Sequence, residues 1–333
     1  FTLFGAWALL FVWNRPYAAG ALLGLAVFSE YPNAIPVAIL VICAWRRLPR
    51  VALGGLPFAI ALGAYNYAAF GSVVSLSSAH EADPSFLEMA HSGLFGVGVP
   101  SLEYLVRLLL DPSKGLFVFS PVLLIAFAGA AAAWRALPRA SFVALVATPL
   151  SILLTFAGYP NWAGGWTVGA RYLVAAVPFL CLLVAFAAQT WIEPLLLGAS
   201  IGVTAVVTLV FPFVAPAYPA PWVSFAWPIL RDGFVAPNVL HFVSRPLAIA
   251  VPFAIVLAAL VMAVPRRAIA VALLGIVLWF GAGFAAVAAY PFTAYTRDFV
   301  EEVHFGKRGL VRNPALWVRA RRTEQLPPPQ WPF

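Results

Sequence analysis

Long apolar runs, parted by short arginine-bearing turns, decide what this chain can fold into. The runs are about 19–23 residues long, which is what a helix needs to cross a hydrocarbon core of roughly 30 Å. In lipid every backbone N–H and C=O must be satisfied within the segment or in a closed barrel. Barrel strands alternate inward and outward residues, and these runs do not alternate. Of 333 residues 63% are hydrophobic and 10% charged, too little polar surface to cover a water-soluble globule. The expected fold class is an all-α polytopic membrane protein.

The runs give the layout. Residues 1–13 are apolar but short for a span. They lack the basic leader and small-residue cleavage site of a signal peptide, so they are read as a partial first helix, with the sequence beginning inside it. Residues 17–45 are apolar but broken by Ser29-Glu30-Tyr31-Pro32-Asn33. Each half is about 13 residues, which leaves two readings: a re-entrant hairpin with Glu30 at its tip, favoured slightly, or one long Pro-kinked span. Seven complete spans are expected at 51–70, 115–134, 140–158, 172–191, 195–215, 246–264 and 268–290. Together, residues 1–290 form the helix bundle, 71–114 a polar loop, and 291–333 a polar, basic tail. Within the loop, residues 101–110 have helical periodicity with Glu103 and Arg107 at i,i+4, the pattern of a helix lying along the interface.

Charge orients the bundle. The turns at 46–50, 135–139 and 265–267 hold seven Arg and no acid, which places them in the cytoplasm by the positive-inside rule. Alternation then puts 71–114, 159–171, 216–245 and the tail on the outer face. Ten of the twelve acids fall there, the exceptions being Glu30 and Glu193. The net charge of +8 is a matter of topology and anionic headgroups, not of nucleic acid. Cys43 and Cys181 lie inside apolar runs and read as small core residues. His80, His91, His241 and His304 are scattered without zinc-ligand spacing, and no motif calls for a metal or other cofactor, though a divalent cation is left open.

Chemistry therefore belongs on the outer face. The loop Tyr159-Pro160-Asn161-Trp162-Ala163-Gly164-Gly165-Trp166-Thr167-Val168-Gly169-Ala170-Arg171-Tyr172 holds two Trp, two Tyr, three Gly and one Arg, and no acid. Arg171 at the mouth of a span needs an anionic partner. The glycines allow close backbone approach, and Trp162 and Trp166 can stack on a sugar or pack a prenyl chain. Lys114, in Asp111-Pro112-Ser113-Lys114-Gly115, also opens a span, where a cation opposes the helix dipole unless an anion is near. A phosphate would satisfy both the ammonium and the free N–H groups. Each cation has a plain alternative, as a snorkelling side chain or a member of an ordinary aromatic belt. In the first outer loop Glu81, Asp83 and His91 are candidate general bases or metal ligands, against the alternative of a solvated loop.

Three stretches resemble the GT-C type of integral-membrane glycosyltransferase, relatives of the protein mannosyltransferases and the aminoarabinose transferases. They are Asp111-Pro112-Ser113-Lys114-Gly115-Leu116-Phe117-Val118-Phe119-Ser120-Pro121, the loop from Asn161 to Leu173, and Gly24-Leu25-Ala26-Val27-Phe28-Ser29-Glu30-Tyr31-Pro32. Relatives often carry Pro where this chain has Ala170, and Lys or Arg where it has Glu30. The resemblance implies a GT-C-like bundle and transfer of a sugar from a polyprenyl-phosphate carrier to an acceptor of unspecified kind. The Ala-, Leu- and Arg-rich composition suggests a bacterium, where the expected place is the inner membrane with the active face toward the periplasm or exterior. Lys114 and Arg171 would hold the lipid phosphate, with Trp162, Trp166, Tyr172 and His91 on the substrate. The family's catalytic acid lies in a first outer loop, expected to precede Phe1, with Glu81 and Asp83 as weaker substitutes. Two other classes compete: a transporter or flippase of lipid-linked sugar, and a non-catalytic scaffold. The first should carry polar residues along a path through the membrane, and the spans are nearly free of charge.

Overall fold

The computed structural model describes residues 1–289, except 76, 81–86, 89–92, 94–95, 189, 215–217, 232–234 and 237. The expected tail lies outside the described residues. The described chain is helical and contains no strand, and five of its helices are long and apolar enough to cross a membrane: Trp45–Phe70, Arg139–Ala157, Ile192–Val210, Pro246–Ala263 and Arg266–Ala288. The chain is a helical membrane protein. It divides into two units, the first made of Phe1–Gly165 with Gly169–Glu193 and the second of Trp166–Val168 with Pro194–Phe333.

In the first unit, α1 (Thr2–Phe11), α2 (Pro16–Ser29), α3 (Ala34–Cys43) and α4 (Leu48–Phe70) lead to α5 (Leu102–Leu110). Helix α2 packs along α4 and α1, while α3 packs along α8 (Arg139–Ala157), so the two halves of the broken segment part onto different neighbours. Glycine sets how closely α2 and α4 approach. A Cβ on Gly20 would lie 2.0 Å from the Val51 carbonyl oxygen, and one on Gly54 2.0 Å from that of Tyr17. Lipid tails are as apolar as leucine, so helices gain affinity in a membrane through such close packing of small residues.

Helix α8 is the centre of this unit, touching α1, α3 and α5. Three of its buried hydroxyls are satisfied within the helix: Thr148 donates to Ala144 O (2.7 Å), Ser151 to Thr148 O (2.7 Å) and Thr155 to Ser151 O (2.8 Å). The unit has two distinct ends. At one, the Trp7 indole donates to Ser141 O at 3.0 Å and Arg47 donates to Leu10 O, which gathers the arginine turns. At the other, Gly98 N donates to Gly158 O (2.7 Å), Ser101 N to Ala157 O (2.9 Å) and the Tyr31 hydroxyl to Asn66 Oδ1 (3.1 Å).

Two segments read as single spans are divided. Residues 115–134 form α6 (Leu116–Phe119), a break at Ser120, a 3-10 turn (Pro121–Leu124) and α7 (Ile125–Ala136). Pro121 has no N–H to give the helix and drives the preceding residue out of the helical region, where Ser120 has φ −135° and ψ 63°. Residues 172–191 become a 3-10 turn (Arg171–Ala176) and α9 (Val177–Phe186), with Pro178 in the first turn, where its missing donor costs least. Helix α9 packs on α7 so closely that a Cβ on Gly129 would meet the Leu183 carbonyl. Cys181, expected in the core, is exposed on α9, and Cys43 is half-buried. Apolar surface turned outward is the ordinary state of a helix facing lipid.

The second unit holds α10 (Ile192–Val210), a wide helical turn (Trp222–Ala226), α11 (Trp227–Arg231), α12 (Arg245–Ala263) and α13 (Ile269–Ala289). Gly198 and Gly275 bring α10 and α13 to backbone contact, each placed so that a Cβ would lie 1.9 Å from a carbonyl oxygen of the other helix. Asn238 organises the turn before α12, accepting from Leu240 N at 3.1 Å and donating to Ala248 O at 3.1 Å.

Candidate functional site

The site is built at the end of the first unit away from the arginine turns, from two glycine-bearing turns. Residues 111–115 form the first. Asp111 Oδ1 accepts from Ser113 N (2.8 Å) and Ser113 Oγ (2.5 Å), and Gly115 N donates to Asp111 O at 2.7 Å. A Cβ on Gly115 would lie 2.6 Å from Asp111 N, so the turn closes only with glycine there. The second is the loop at 159–172. Gly164, Gly165 and Gly169 have φ of 66°, 77° and 61°, the left-handed region where a side chain is strained.

The two turns meet. Lys114 Nζ donates to Gly165 O at 2.9 Å, and Arg171 reaches toward Gly164 O at 3.5 Å. Two cations far apart in sequence thus converge on adjacent carbonyls. Their settings differ. Lys114 is buried, with 1% of its surface exposed, whereas Arg171 is exposed. Burial pushes the Lys114 amine down to about 7, against the pull of the Asp111 carboxylate. The helix dipole invoked for Lys114 amounts to little, because α6 is four residues long and dipoles sum along a helix.

Aromatic rings wall the loop. Tyr172 stacks on Phe156 with centroids 4.3 Å apart and meets Tyr159 edge-on at 5.7 Å. Trp162 is half-buried, with the Arg107 guanidinium over its ring at 5.4 Å, and Arg107 is ion-paired to Glu103 at 2.8 Å. The i,i+4 pair expected from the sequence is therefore present, and it also ties α5 to the loop. Nothing in the spacing signalled the Arg107–Trp162 contact, which covers one face of a ring expected to stack on substrate.

Lys114, Arg171, Trp162 and Tyr172 are thus brought together in the first unit. Trp166 belongs to the second. Glu81, Asp83 and His91 lie outside the described residues. Among the described residues no three His, Cys, Asp or Glu side chains group closely enough to hold a metal ion. The arrangement offers two cations and an aromatic wall at one end of a membrane bundle, a setting suited to an amphiphilic anion. No family model, curated protein or solved structure matches the chain.

Proposed function

We propose that this chain acts in a membrane glycosyltransferase that moves a sugar from a polyprenyl-phosphate carrier to an acceptor on the outer face of a bacterial inner membrane. The observation that carries the reading is the convergence of Lys114 and Arg171 on the adjacent carbonyls of Gly165 and Gly164. A leaving lipid phosphate gains negative charge as the glycosidic bond breaks. Cations fixed beforehand by backbone carbonyls stabilise that charge with little reorganisation. The exposed Arg171 meets the phosphate first, and Lys114 holds the carbonyl of the loop that carries it. The prenyl chain lies against the apolar helix faces, and Tyr172 flanks the sugar.

The reading is tested with the full-length chain in lipid nanodiscs, given a panel of polyprenyl-phosphate hexoses and pentoses, by following release of the lipid phosphate. Release that is lost in Arg171→Ala supports the transferase. Tight binding of the lipid with no release from any donor overturns it in favour of a transporter or a scaffold.

A further inference from the structure

We infer that Arg107 is a third anion-binding residue of this site, held on Glu103 and the Trp162 ring until a lipid phosphate draws it off and frees that ring for the sugar. The inference rests on the transferase reading above. Three cations from separate stretches of sequence attach to residues 162–165. The Arg107 guanidinium lies over the Trp162 ring at 5.4 Å, Arg171 reaches toward Gly164 O at 3.5 Å, and Lys114 Nζ donates to Gly165 O at 2.9 Å. Arg107 is also joined to the turn that ends in Lys114, because its carbonyl accepts from Asp111 N at 3.0 Å. The helix that carries it is anchored: Ser101 N donates to Ala157 O of α8 at 2.9 Å, and Leu108 is buried. The side chain is held less firmly. Arg107 and Glu103 form their 2.8 Å ion pair with 47% and 62% of their side chains exposed.

Competition decides where such a guanidinium sits. An exposed i,i+4 pair contributes little, since water and salt screen it, and a cation over a partly exposed ring adds a similarly small amount. A phosphate offers the same fork a bidentate, charge-assisted contact, which is the stronger of the two. Trp162 and Gly164 are separated by at most about 7 Å of chain, so a phosphate carried by Arg171 is presented close to Arg107. Moving the guanidinium uncovers the Trp162 face. Tyr172 has no such release, because its ring is stacked on Phe156 at 4.3 Å and met edge-on by Tyr159 at 5.7 Å, both uncharged rings. Trp162 is thus the ring whose cover answers to an anion. The sugar gains this stacking surface only together with the phosphate that carries it, whereas a prenyl alcohol or a free sugar leaves the cover in place.

The test measures binding of farnesyl phosphate and of farnesol to the full-length chain in nanodiscs, with 5-fluorotryptophan labelling and the Trp162 resonance assigned through Trp162→Phe. Expected is a shift of that resonance with farnesyl phosphate and none with farnesol. Arg107→Gln should weaken farnesyl phosphate about tenfold or more, the worth of a hydrogen bond to a charged group. Glu103→Gln, which releases the guanidinium, should tighten it by roughly twofold, the worth of an exposed i,i+4 pair, and should do nothing once Arg107→Gln is present. A purely structural pair would give losses in both variants. Unchanged affinity in Arg107→Gln, weaker binding in Glu103→Gln, or an equal shift with farnesol overturns the inference, and sugar transfer by the wild-type chain then leaves the transferase standing. Arg107-dependent binding with no transfer from any donor keeps the anion-binding role and overturns the transferase.

Discussion

Lys114 and Gly165 are joined by a hydrogen bond of 2.9 Å that spans 51 positions of sequence and fastens the turn before α6 to the loop before α9. The donor is one of the most deeply buried side chains in the protein and the acceptor is a backbone carbonyl in a left-handed turn. The bond is therefore both a structural tie and part of a charged site, and substitutions should separate the two roles.

Lys114→Met keeps the length of the side chain but removes its donor. Well above pH 7, where the buried amine is neutral, it should destabilise the first unit by about 1–3 kcal/mol, the cost of a buried acceptor left unpaired. Arg171→Ala removes an exposed group whose side-chain hydrogen bond among the described residues is a long one to Gly164 O, so its melting temperature should stay within error of wild type. Both should lose farnesyl phosphate affinity. Thermal unfolding in detergent and a binding titration on the same preparations check the split.

The Lys114 amine also predicts a pH dependence. It loses its proton at about 7 in the folded protein, against 10.5 for the unperturbed group. Between those values the unfolded chain binds more protons, so stability rises with pH across the window. Below about 7 both states carry the proton and the cost of the buried charge is fully present. Melting temperatures from pH 6 to 9 should climb more steeply in the wild type than in Lys114→Met. An anion bound at the amine favours its charged form, so phosphate binding above pH 7 should take up a proton, which titration in buffers of different ionisation enthalpy reads directly.

Gly20→Val and Gly54→Val each add bulk where even a Cβ would lie 2.0 Å from a carbonyl oxygen. Overpacking of this kind costs roughly 1–3 kcal/mol or more, because two backbones must separate. Expected are lower melting temperatures in both. Gly71→Ala is a contrast: no atom lies within 4 Å of its Cβ position, but its φ of 72° adds strain, so its smaller loss would come from the backbone alone.

Topology is checked by reporter fusions. Alkaline phosphatase joined after Gly71 or Gly158 should be active, and a fluorescent protein joined after Arg50 or Leu137 should fold and glow. The reverse pattern would invert the bundle and put the Lys114 and Arg171 end in the cytoplasm.

Much of the architecture was legible because it is local. Hydrophobic length marks the spans, and a cluster of polar residues with proline marks the break at 29–33. The periodicity of residues 101–110 gives the helix Leu102–Leu110 with its Glu103–Arg107 pair. Proline was harder to read. Pro57, Pro149 and Pro252 sit inside continuous helices, whereas chain continuity fails at Pro121 and is rebuilt before Pro178. Membrane helices tolerate proline where neighbours re-satisfy the freed groups, and those neighbours are not adjacent in sequence.

By itself the sequence determined the class of the protein and the residue types available in its loops, consequences of local hydropathy and local turn chemistry. Only the tertiary structure decided that Lys114 and Arg171 converge on Gly165 and Gly164 and that Arg107 covers Trp162. Those relationships follow from helices brought to backbone contact by glycines such as Gly20, Gly54 and Gly129. No period along the chain encodes which residues such packing will bring face to face.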